Sequence, residues 1–451
     1  MPNPSRGPAM TVPESRWSAG MRALTHRNFQ LFFSGQLISL IGTWMQTVAL
    51  SWLVYRMTGS SLLLGTVGFA SQFPVFLMAP VGGATADRTN RHRLVITTQT
   101  VAMILAFILA GLTLLHRVRE WHVLVLAAAL GVVNAFDIPG RQAFLVDMVG
   151  KEDLMSAIAL NSSMFNGARI IGPAVAGIVV AKIGEGWCFL VNAVSYIAVI
   201  VGLLLMQIDC PPRSKSDSPI EDIIEGFRWA SHTAPIRALL LLLGLVSLVG
   251  MPYTVLMPVF ADHVLHGGAE GLAALLRAHD PGAVRLGVLM GATGVGALLG
   301  ALTLALRSGV RGLGRLVALT CGGFGVSLIA FSLSKNFWLS TCLLVPVGFC
   351  LMLQMASSNT LIQTMVPDAL RGRVMAVYSM MFMGMAPFGA LLGGALADRL
   401  GAPVTVAAGA AASVAGAGLF LRKLPAFRGE ARKLILAQAV AGEEPTAGSR
   451  S

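Results

Sequence analysis

Twelve apolar runs of 19–29 residues divide this chain and limit what it can fold into. A helix of about 20 apolar residues spans the ~30 Å hydrocarbon core of a bilayer. The runs cover residues 29–55, 62–86, 94–115, 122–146, 154–182, 187–208, 237–262, 286–306, 316–334, 338–365, 374–397 and 403–421. Only 12% of the residues are charged, whereas soluble domains carry about 25%. The sequence therefore predicts an all-α integral membrane protein with twelve transmembrane helices.

The basic residues are distributed unevenly between the predicted loops. If the amino terminus is cytoplasmic, most of the 33 Lys and Arg residues lie in cytoplasmic segments, as the positive-inside rule requires. We therefore expect a multi-pass protein of the bacterial plasma membrane with both termini in the cytoplasm. The net charge of +12 is explained by these loops and, without a basic helix or aromatic platform, does not indicate nucleic-acid binding.

The longest cytoplasmic segment separates two groups of six helices. We expect an amino-terminal tail over 1–28, a first bundle over 29–208, a linker over 209–236, a second bundle over 237–421 and a cytoplasmic tail over 422–451. The linker contains an amphipathic pattern that predicts a helix on the membrane surface. Its apolar residues are Ile220, Ile223, Ile224, Phe227 and Trp229.

An internal repeat with an offset of 217 residues supports this division. It pairs Gly172, Gly177 and Gly184 with Gly389, Gly394 and Gly401. A second repeat ends helix two with GGATADR and helix eleven with GGALADR, on opposite sides of the membrane. This pattern is typical of transporters whose halves contain inverted repeats.

The loop GGATADRTNRHR, residues 82–93, follows the second helix and concentrates charge at its cytoplasmic end. Asp87 can accept hydrogen bonds from a facing helix amino terminus, and Arg88, Arg91 and Arg93 can pair with it or with anionic lipid. The loop resembles the major facilitator signature Gly-x-x-x-Asp-Arg-x-Gly-x-Arg-Arg. Gly83, Asp87, Arg88 and Arg93 match, whereas Asn90 and His92 differ.

The resemblance extends over nearly the whole chain. The stretches RNFQLFFSGQLISLIGTWMQTVALSWLVY and DIPGRQAFLVDMV are similar to the enterobactin-exporter and macrolide-efflux branch of that superfamily. It implies two six-helix bundles, and a loop after helix two whose ion pairs hold one conformation closed.

Asp137 and Arg141 lie four residues apart near the inner end of helix four, and this spacing places them on one helical face. Because a charge in hydrocarbon is costly, both should face protein or water. The resemblance implies that they join Asp87 in a charge relay. The alternative is a static ion pair near the interface.

Arg169 lies midway along helix five, with no acidic residue within one turn, and Gly172, Pro173 and Gly177 follow it. The segment resembles the exporter signature Gly-x-x-x-Gly-Pro-x-x-Gly-Gly, with Ala168 and Ala176 replacing two glycines. In the family this signature marks antiporters. The alternative is helix packing with a structural arginine.

The resemblance also implies a central cavity lined by helices 1, 4, 7 and 10. The polar and aromatic residues that we expect to line it are Trp44, Gln46, Asn134, Tyr253, Gln354 and Asn359. We expect alternating access, with efflux of an amphipathic small molecule in exchange for protons and Asp137 as the first candidate for protonation.

Three alternatives to drug efflux stay open. These are export of a siderophore or other metabolite, flipping of a lysolipid, and, from a different class, a membrane-embedded receptor or enzyme. The five cysteines form no CxxC pair, and we expect no metal, no cofactor and no enzymatic activity. The expected partners are a small-molecule substrate, protons and membrane lipid, with the protein acting as a monomer.

Overall fold

The computed structural model describes residues 21–208, 219–307 and 309–443. Within these ranges twelve helices are long and apolar enough to cross a membrane, which confirms the number predicted. They are α1 (Arg27–Thr58), α2 (Ser61–Arg88), α3 (Arg91–Leu114), α4 (Glu120–Val149), α5 (Leu154–Ile183), α6 (Glu185–Leu204), α7 (Ala234–Val264), α8 (Pro281–Ala305), α9 (Leu313–Leu333), α10 (Phe337–Met365), α11 (Leu370–Leu400) and α12 (Ala402–Arg422).

Consecutive helices alternate in direction and form two bundles of six, as predicted. In the first bundle α1 packs against α5 and α6, α2 against α4, and α3 against α6. In the second, α8 and α9 pack against α10, and α12 packs against α9. The terminal face is the side of the molecule at which α1 begins and at which α12 ends. The distal face is the opposite side.

Two of the helices are interrupted where the sequence predicts continuous runs. In α7 a π-helical turn over Val246–Gly250 is followed by a 3₁₀ turn over Met251–Thr254. In α11 regular helix stops at Met383 and resumes at Ala386. Pro252 and Pro387 lie at these breaks, and proline removes an amide donor from the helical ladder.

Three shorter α-helices of the described residues lie outside the twelve. The linker helix spans Pro219–His232, the distal loop contains Glu270–Leu275, and the C-terminal helix spans Leu424–Glu443. The linker helix packs against α11, while Phe227 on it is about half exposed. Residues 1–20 of the predicted tail, 209–218 of the linker and 444–451 lie outside the described residues, and the domain boundaries stay a prediction.

The two bundles meet along two seams, α5 against α8 and α2 against α11. A Cβ atom on Gly177 of α5 would lie 2.8 Å from the Cα of Gly287 on α8. A Cβ atom on Gly394 of α11 would likewise lie 2.8 Å from the Cα of Gly65 on α2. Since Gly177 and Gly394 are partners in the 217-residue repeat, the repeat places equivalent glycines at equivalent backbone contacts.

Both seams run from the distal face to about the middle of the helices. In each seam one glycine contact between the bundles lies nearest the terminal face. It joins Gly294 and Ile170 in the α5–α8 seam, and Gly384 and Phe76 in the α2–α11 seam. Beyond these points none of the described transmembrane glycines packs against the opposite bundle. The part of α11 after its break, Ala386–Leu400, packs along α2, whereas the part before the break has little contact with α2. The halves therefore close on the distal side, and the space between them opens toward the terminal face.

Candidate functional site

A buried arginine organises the charged loop at the terminal face. The side chain of Arg91, at the start of α3, is 7% exposed. Its Nη1 lies 3.1 Å from Oδ2 of Asp147 and its Nη2 lies 3.2 Å from Oδ1 of Asp87. Its Nε donates to the carbonyl oxygen of Ala86 at 3.1 Å. Arg91 thus joins the ends of α2 and α4 through charge-assisted hydrogen bonds.

The other residues of the loop motif have different surroundings. Arg88 and Arg93 are exposed, and neither forms an ion pair with another described residue. The Asn90 side chain accepts from the Arg93 amide at 3.1 Å and caps α3. Gly82 is the glycine of the motif that packs against α4, because a Cβ atom placed on it would lie 1.9 Å from the Ala135 oxygen. A Cβ atom placed on Gly83 would meet no atom within 4 Å.

Asp147 was missed by the sequence-based interpretation. It lies in the last turn of α4, ten residues after Asp137, which is about 15 Å along a helix. An acidic residue at the same helix end as a basic loop is a detectable signal. The pairing itself depends on how α3 packs beside α4.

Asp137 forms a second polar cluster inside the first bundle. Its carboxylate is 4% exposed, and its Oδ2 accepts from Nε of Arg141 at 2.6 Å. Its Oδ1 accepts from Oγ1 of Thr98 at 2.8 Å and from Nε2 of Gln99 at 2.9 Å. Among the described residues no hydrogen bond or ion pair connects Asp137 with Asp87. The structure therefore separates the members of the predicted relay into two clusters.

Arg169 lies midway along α5 and is partly exposed. Its guanidinium carbon lies 5.8 Å from the centre of the Trp44 ring. The Trp44 ring meets Phe165 edge-on, with centroids 5.7 Å apart. No described acidic residue pairs with Arg169, so its contact on another helix is an aromatic face rather than a carboxylate.

The rest of the predicted exporter signature contacts both halves of the molecule. Gly172 faces its own bundle, where a Cβ would lie 2.4 Å from Cβ of Trp44. Pro173 and Gly177 face the other bundle, with the Pro173 oxygen 2.9 Å from a Cβ placed on Gly287. Only the second part of the signature therefore forms the α5–α8 seam.

The predicted cavity residues divide into two groups. Trp44, Asn134 and Asn359 are partly exposed, and Asn359 accepts a hydrogen bond from Gln363 at 2.5 Å. The other three are packed into the protein in this conformation: Gln46, Tyr253 and Gln354. Gln46 accepts from Asn192 of α6 at 2.8 Å, so it faces its own bundle. A cavity role for these six residues stays a prediction.

A polar contact closes the distal face. Nε1 of Trp52 on α1 donates to Oδ2 of Asp280 at 3.0 Å, and the His279 amide donates to the Ala181 oxygen at 2.7 Å. Both bonds cross between the bundles. The sequence-based interpretation assigned no role to Asp280, although Asp before Pro281 is a recognisable helix start.

An apolar groove of about 380 Å³ runs along the α5–α8 seam. Its lining is formed by Ile170, Ala174, Gly177, Ile178, Leu272, Leu276, Val284, Gly287, Val288, Gly291 and Val295. Ile178 and Val295 are each more than a third exposed, so the groove opens sideways, where a bilayer would surround α5 and α8.

Comparison with known proteins finds relatives that are named as transporters, exporters or efflux pumps. The staphyloferrin A transporter of Staphylococcus aureus is 28% identical over 374 residues, which cover 82% of this chain and 89% of the relative. The multidrug efflux pump Tap of Mycolicibacterium fortuitum is 28% identical, over 81% and 88% of the two chains. The enterobactin exporter EntS of Shigella boydii is 25% identical, over 88% and 90%.

Solved structures show the same fold at lower identity. The nucleoside transporter NupG superposes with a TM-score of 0.67 at 14% identity, covering 88% of this chain and 98% of NupG. A bacterial homologue of the iron transporter ferroportin gives 0.63 at 17% identity, covering 88% and 98%. The family model described as transmembrane secretion effector matches residues 18–439. The predicted major facilitator resemblance is confirmed, and the chain belongs to the transmembrane secretion effector family.

Proposed function

We propose that this protein exports an amphipathic small molecule from the bacterial cytoplasm by alternating access, in exchange for protons. The observation that carries the proposal is the pair of seams that close the distal half and leave the terminal half apart. The concentration of basic residues at the terminal face supports its assignment to the cytoplasm. The central space then opens to the compartment from which an exporter takes its substrate.

The relatives support export of small molecules. Two of them are named as a multidrug efflux pump and an enterobactin exporter. We therefore propose that the substrate of this protein is an amphipathic, drug-like compound or a dedicated metabolite. The protein acts as a monomer in the plasma membrane with both termini in the cytoplasm, and it moves its substrate without chemical change. Rocking of the two bundles about the glycine seams would alternate access.

Asp137 is the proposed proton carrier. A buried carboxylate held by Arg141, Thr98 and Gln99 stabilises one arrangement of α3 and α4 while it is charged. Protonation weakens the charge-assisted bond to Arg141. Binding and release of a proton would therefore change how firmly α4 is held, and so bias the movement of the bundles.

Two measurements test the proposal. In a pump-deficient bacterium that expresses the protein, accumulation of ethidium and of a macrolide should fall, and a protonophore should abolish the difference. In proteoliposomes, Asp137→Asn should eliminate uphill efflux driven by a pH gradient while retaining exchange of labelled for unlabelled substrate. Asp398→Asn, at an exposed distal position, is the matched control. Unchanged uphill efflux by Asp137→Asn would exclude this proton site.

The apolar groove favours a second candidate function, movement of a lysolipid. Gly291 lines the groove, and a Cβ placed there meets no atom within 4 Å, so Gly291→Leu would fill the groove without a backbone clash. If a lysolipid is the substrate, this variant should block its flipping in proteoliposomes. Gly111→Leu, at an equally open position on α3, is the control. Normal lysolipid flipping by Gly291→Leu would argue against this candidate.

A further inference from the structure

We infer that Arg169 binds the charged group of the substrate and that the exported molecule is an organic anion. This inference rests on the proposed export function and names the class of substrate for the same central space. It is argued from the charge balance within the membrane, from the surroundings of the guanidinium, and from an unpartnered hydroxyl group on the opposite bundle.

The first argument is charge balance among the intramembrane groups. The two buried carboxylates of the described helices, Asp137 and Glu185, are paired with Arg141 and Arg56 at 2.6 and 2.9 Å. Arg169 has no such carboxylate partner among the described residues. Arg285, near the distal start of α8, has none either, but its Nε donates to the Ala261 oxygen at 2.6 Å. An uncompensated charge at mid-membrane is costly unless it faces water or a ligand of opposite charge.

The second argument is the geometry around the guanidinium. The guanidinium carbon of Arg169 lies over the Trp44 ring, 5.8 Å from the ring centre. Phe165 meets the edge of the same indole and fixes its orientation. A cation–π contact leaves free those guanidinium N–H donors that point away from the ring. Those donors match a carboxylate, sulfonate or phosphate, which a planar fork can hold by two hydrogen bonds.

The third argument is an unpartnered donor from the other half. Tyr253 of α7 is 1% exposed, and its hydroxyl has no hydrogen-bond partner with favourable geometry in the described structure. It lies within electrostatic range of Arg169 and beside Thr293. The next residue, Gly294, packs against the Arg169 backbone oxygen. Arg169 and Tyr253 therefore lie near the point where the α5–α8 seam ends, on opposite bundles.

An anion held at this point would contact both bundles at once. Its negative charge would neutralise the charge of Arg169, which has no carboxylate partner among the described residues, and the hydroxyl of Tyr253 would gain an acceptor. A ligand that bridges the two halves favours the conformation in which both groups converge on it. Binding of the anion would thus be coupled to the relative position of the bundles, as transport requires.

The test is equilibrium binding of two probes with the same ring and opposite charge. Tritiated naphthalene-2-sulfonate and 2-naphthylmethylammonium are added to purified protein in nanodiscs, and binding to empty nanodiscs is subtracted. We expect the anion to bind and the cation to bind at least tenfold more weakly. Arg169→Gln should lower the affinity for the anion about 10- to 100-fold, as expected for loss of a charged hydrogen-bonding partner. Arg169→Lys should retain much of the affinity, and the exposed distal variant Arg399→Gln should retain all of it.

Thermal unfolding of the same samples separates a ligand site from a structural role. Removal of an uncompensated charge should leave the melting temperature of ligand-free Arg169→Gln unchanged or higher, while the added anion should no longer raise it. Equal anion affinity in Arg169→Gln and the unchanged protein, or equal binding of the two probes, would overturn the inference. Because no gradient is present, a failure of proton coupling would leave this result unaffected.

Discussion

Trp52 and Asp280 join the two bundles at the distal face through a hydrogen bond of 3.0 Å. The other carboxylate oxygen of Asp280 accepts from the amides of Gly282 and Ala283, at 2.9 and 3.2 Å, and so caps α8. The Trp52 ring also packs over Gly282, where a Cβ would lie 2.5 Å from Cη2. One carboxylate therefore both starts α8 and holds it against α1.

Trp52→Phe should loosen the distal closure. The substitution removes the indole donor but keeps an aromatic ring over Gly282, and loss of a hydrogen bond to a charged group costs about 1.5 kcal/mol. This corresponds to a shift of about tenfold in the ratio of distal-closed to distal-open molecules. Spin labels at the exposed distal residues Arg117 and Lys335, in a cysteine-free background, would report the shift as a larger population at long distance.

Trp121→Phe serves as the control for this measurement, because Trp121 is 56% exposed and, among the described aromatic rings, its ring contacts only that of its neighbour His122, at a tilt of 37°. Its distance distribution should match that of the unchanged protein. A distribution for Trp52→Phe that coincides with the control would show that the bond to Asp280 does not hold the distal face closed.

The two glycine seams should respond alike to the same substitution. Gly177→Ala and Gly394→Ala each place a methyl group 2.8 Å from the Cα of a facing glycine, and such overpacking costs about 1–3 kcal/mol. We expect both variants to lose most of their efflux, because the distal half can no longer close fully. The measurement is the initial rate of substrate efflux from cells at matched expression.

Gly167→Ala lies on the same helix as Gly177, and its Cβ meets no atom within 4 Å. It should export at the normal rate, because the added methyl group has space and alanine favours a helix by about 1 kcal/mol. Loss of export in Gly177→Ala with normal export in Gly394→Ala would mean that the repeat-related seams are not equivalent in function.

Much of the fold follows from the sequence because the thickness of a bilayer sets the length of each element. The predicted run 154–182 and the observed helix Leu154–Ile183 differ by one residue. The breaks in α7 and α11 are harder to predict, because hydropathy records composition and not the backbone. Proline in a transmembrane run does not by itself break it, since Pro74 and Pro173 lie within continuous helices.

The candidate site is less accessible from the sequence, because it depends on which side of each helix faces a neighbour. Asp137 and Arg141 are predicted to share a face from their spacing, and they form an ion pair. The contact of Gln46 with Asn192 joins residues 146 apart in the chain and depends on the rotation of α1 against α6. The ion pair between Arg91 and Asp147 likewise depends on how α3 packs beside α4.

Arg91→Gln should destabilise the protein more than removal of either neighbouring arginine. It would leave the carboxylate of Asp147, which is 14% exposed, without its ion pair to Arg91, and breaking a buried ion pair costs about 3 kcal/mol. Arg88→Gln and Arg93→Gln alter exposed groups and should change stability by less than about 0.5 kcal/mol. Thermal unfolding of the purified variants in detergent would measure the difference.

A double variant distinguishes the ion pair from a general effect of position 91. Asp147→Asn removes the carboxylate charge with which Arg91 pairs, so the two substitutions together should be less destabilising than the sum of the two single changes. The coupling should exceed about 1 kcal/mol for residues in direct contact. Strict additivity would mean that Arg91 stabilises the protein through its bonds to Asp87 and to the Ala86 oxygen, and not through Asp147.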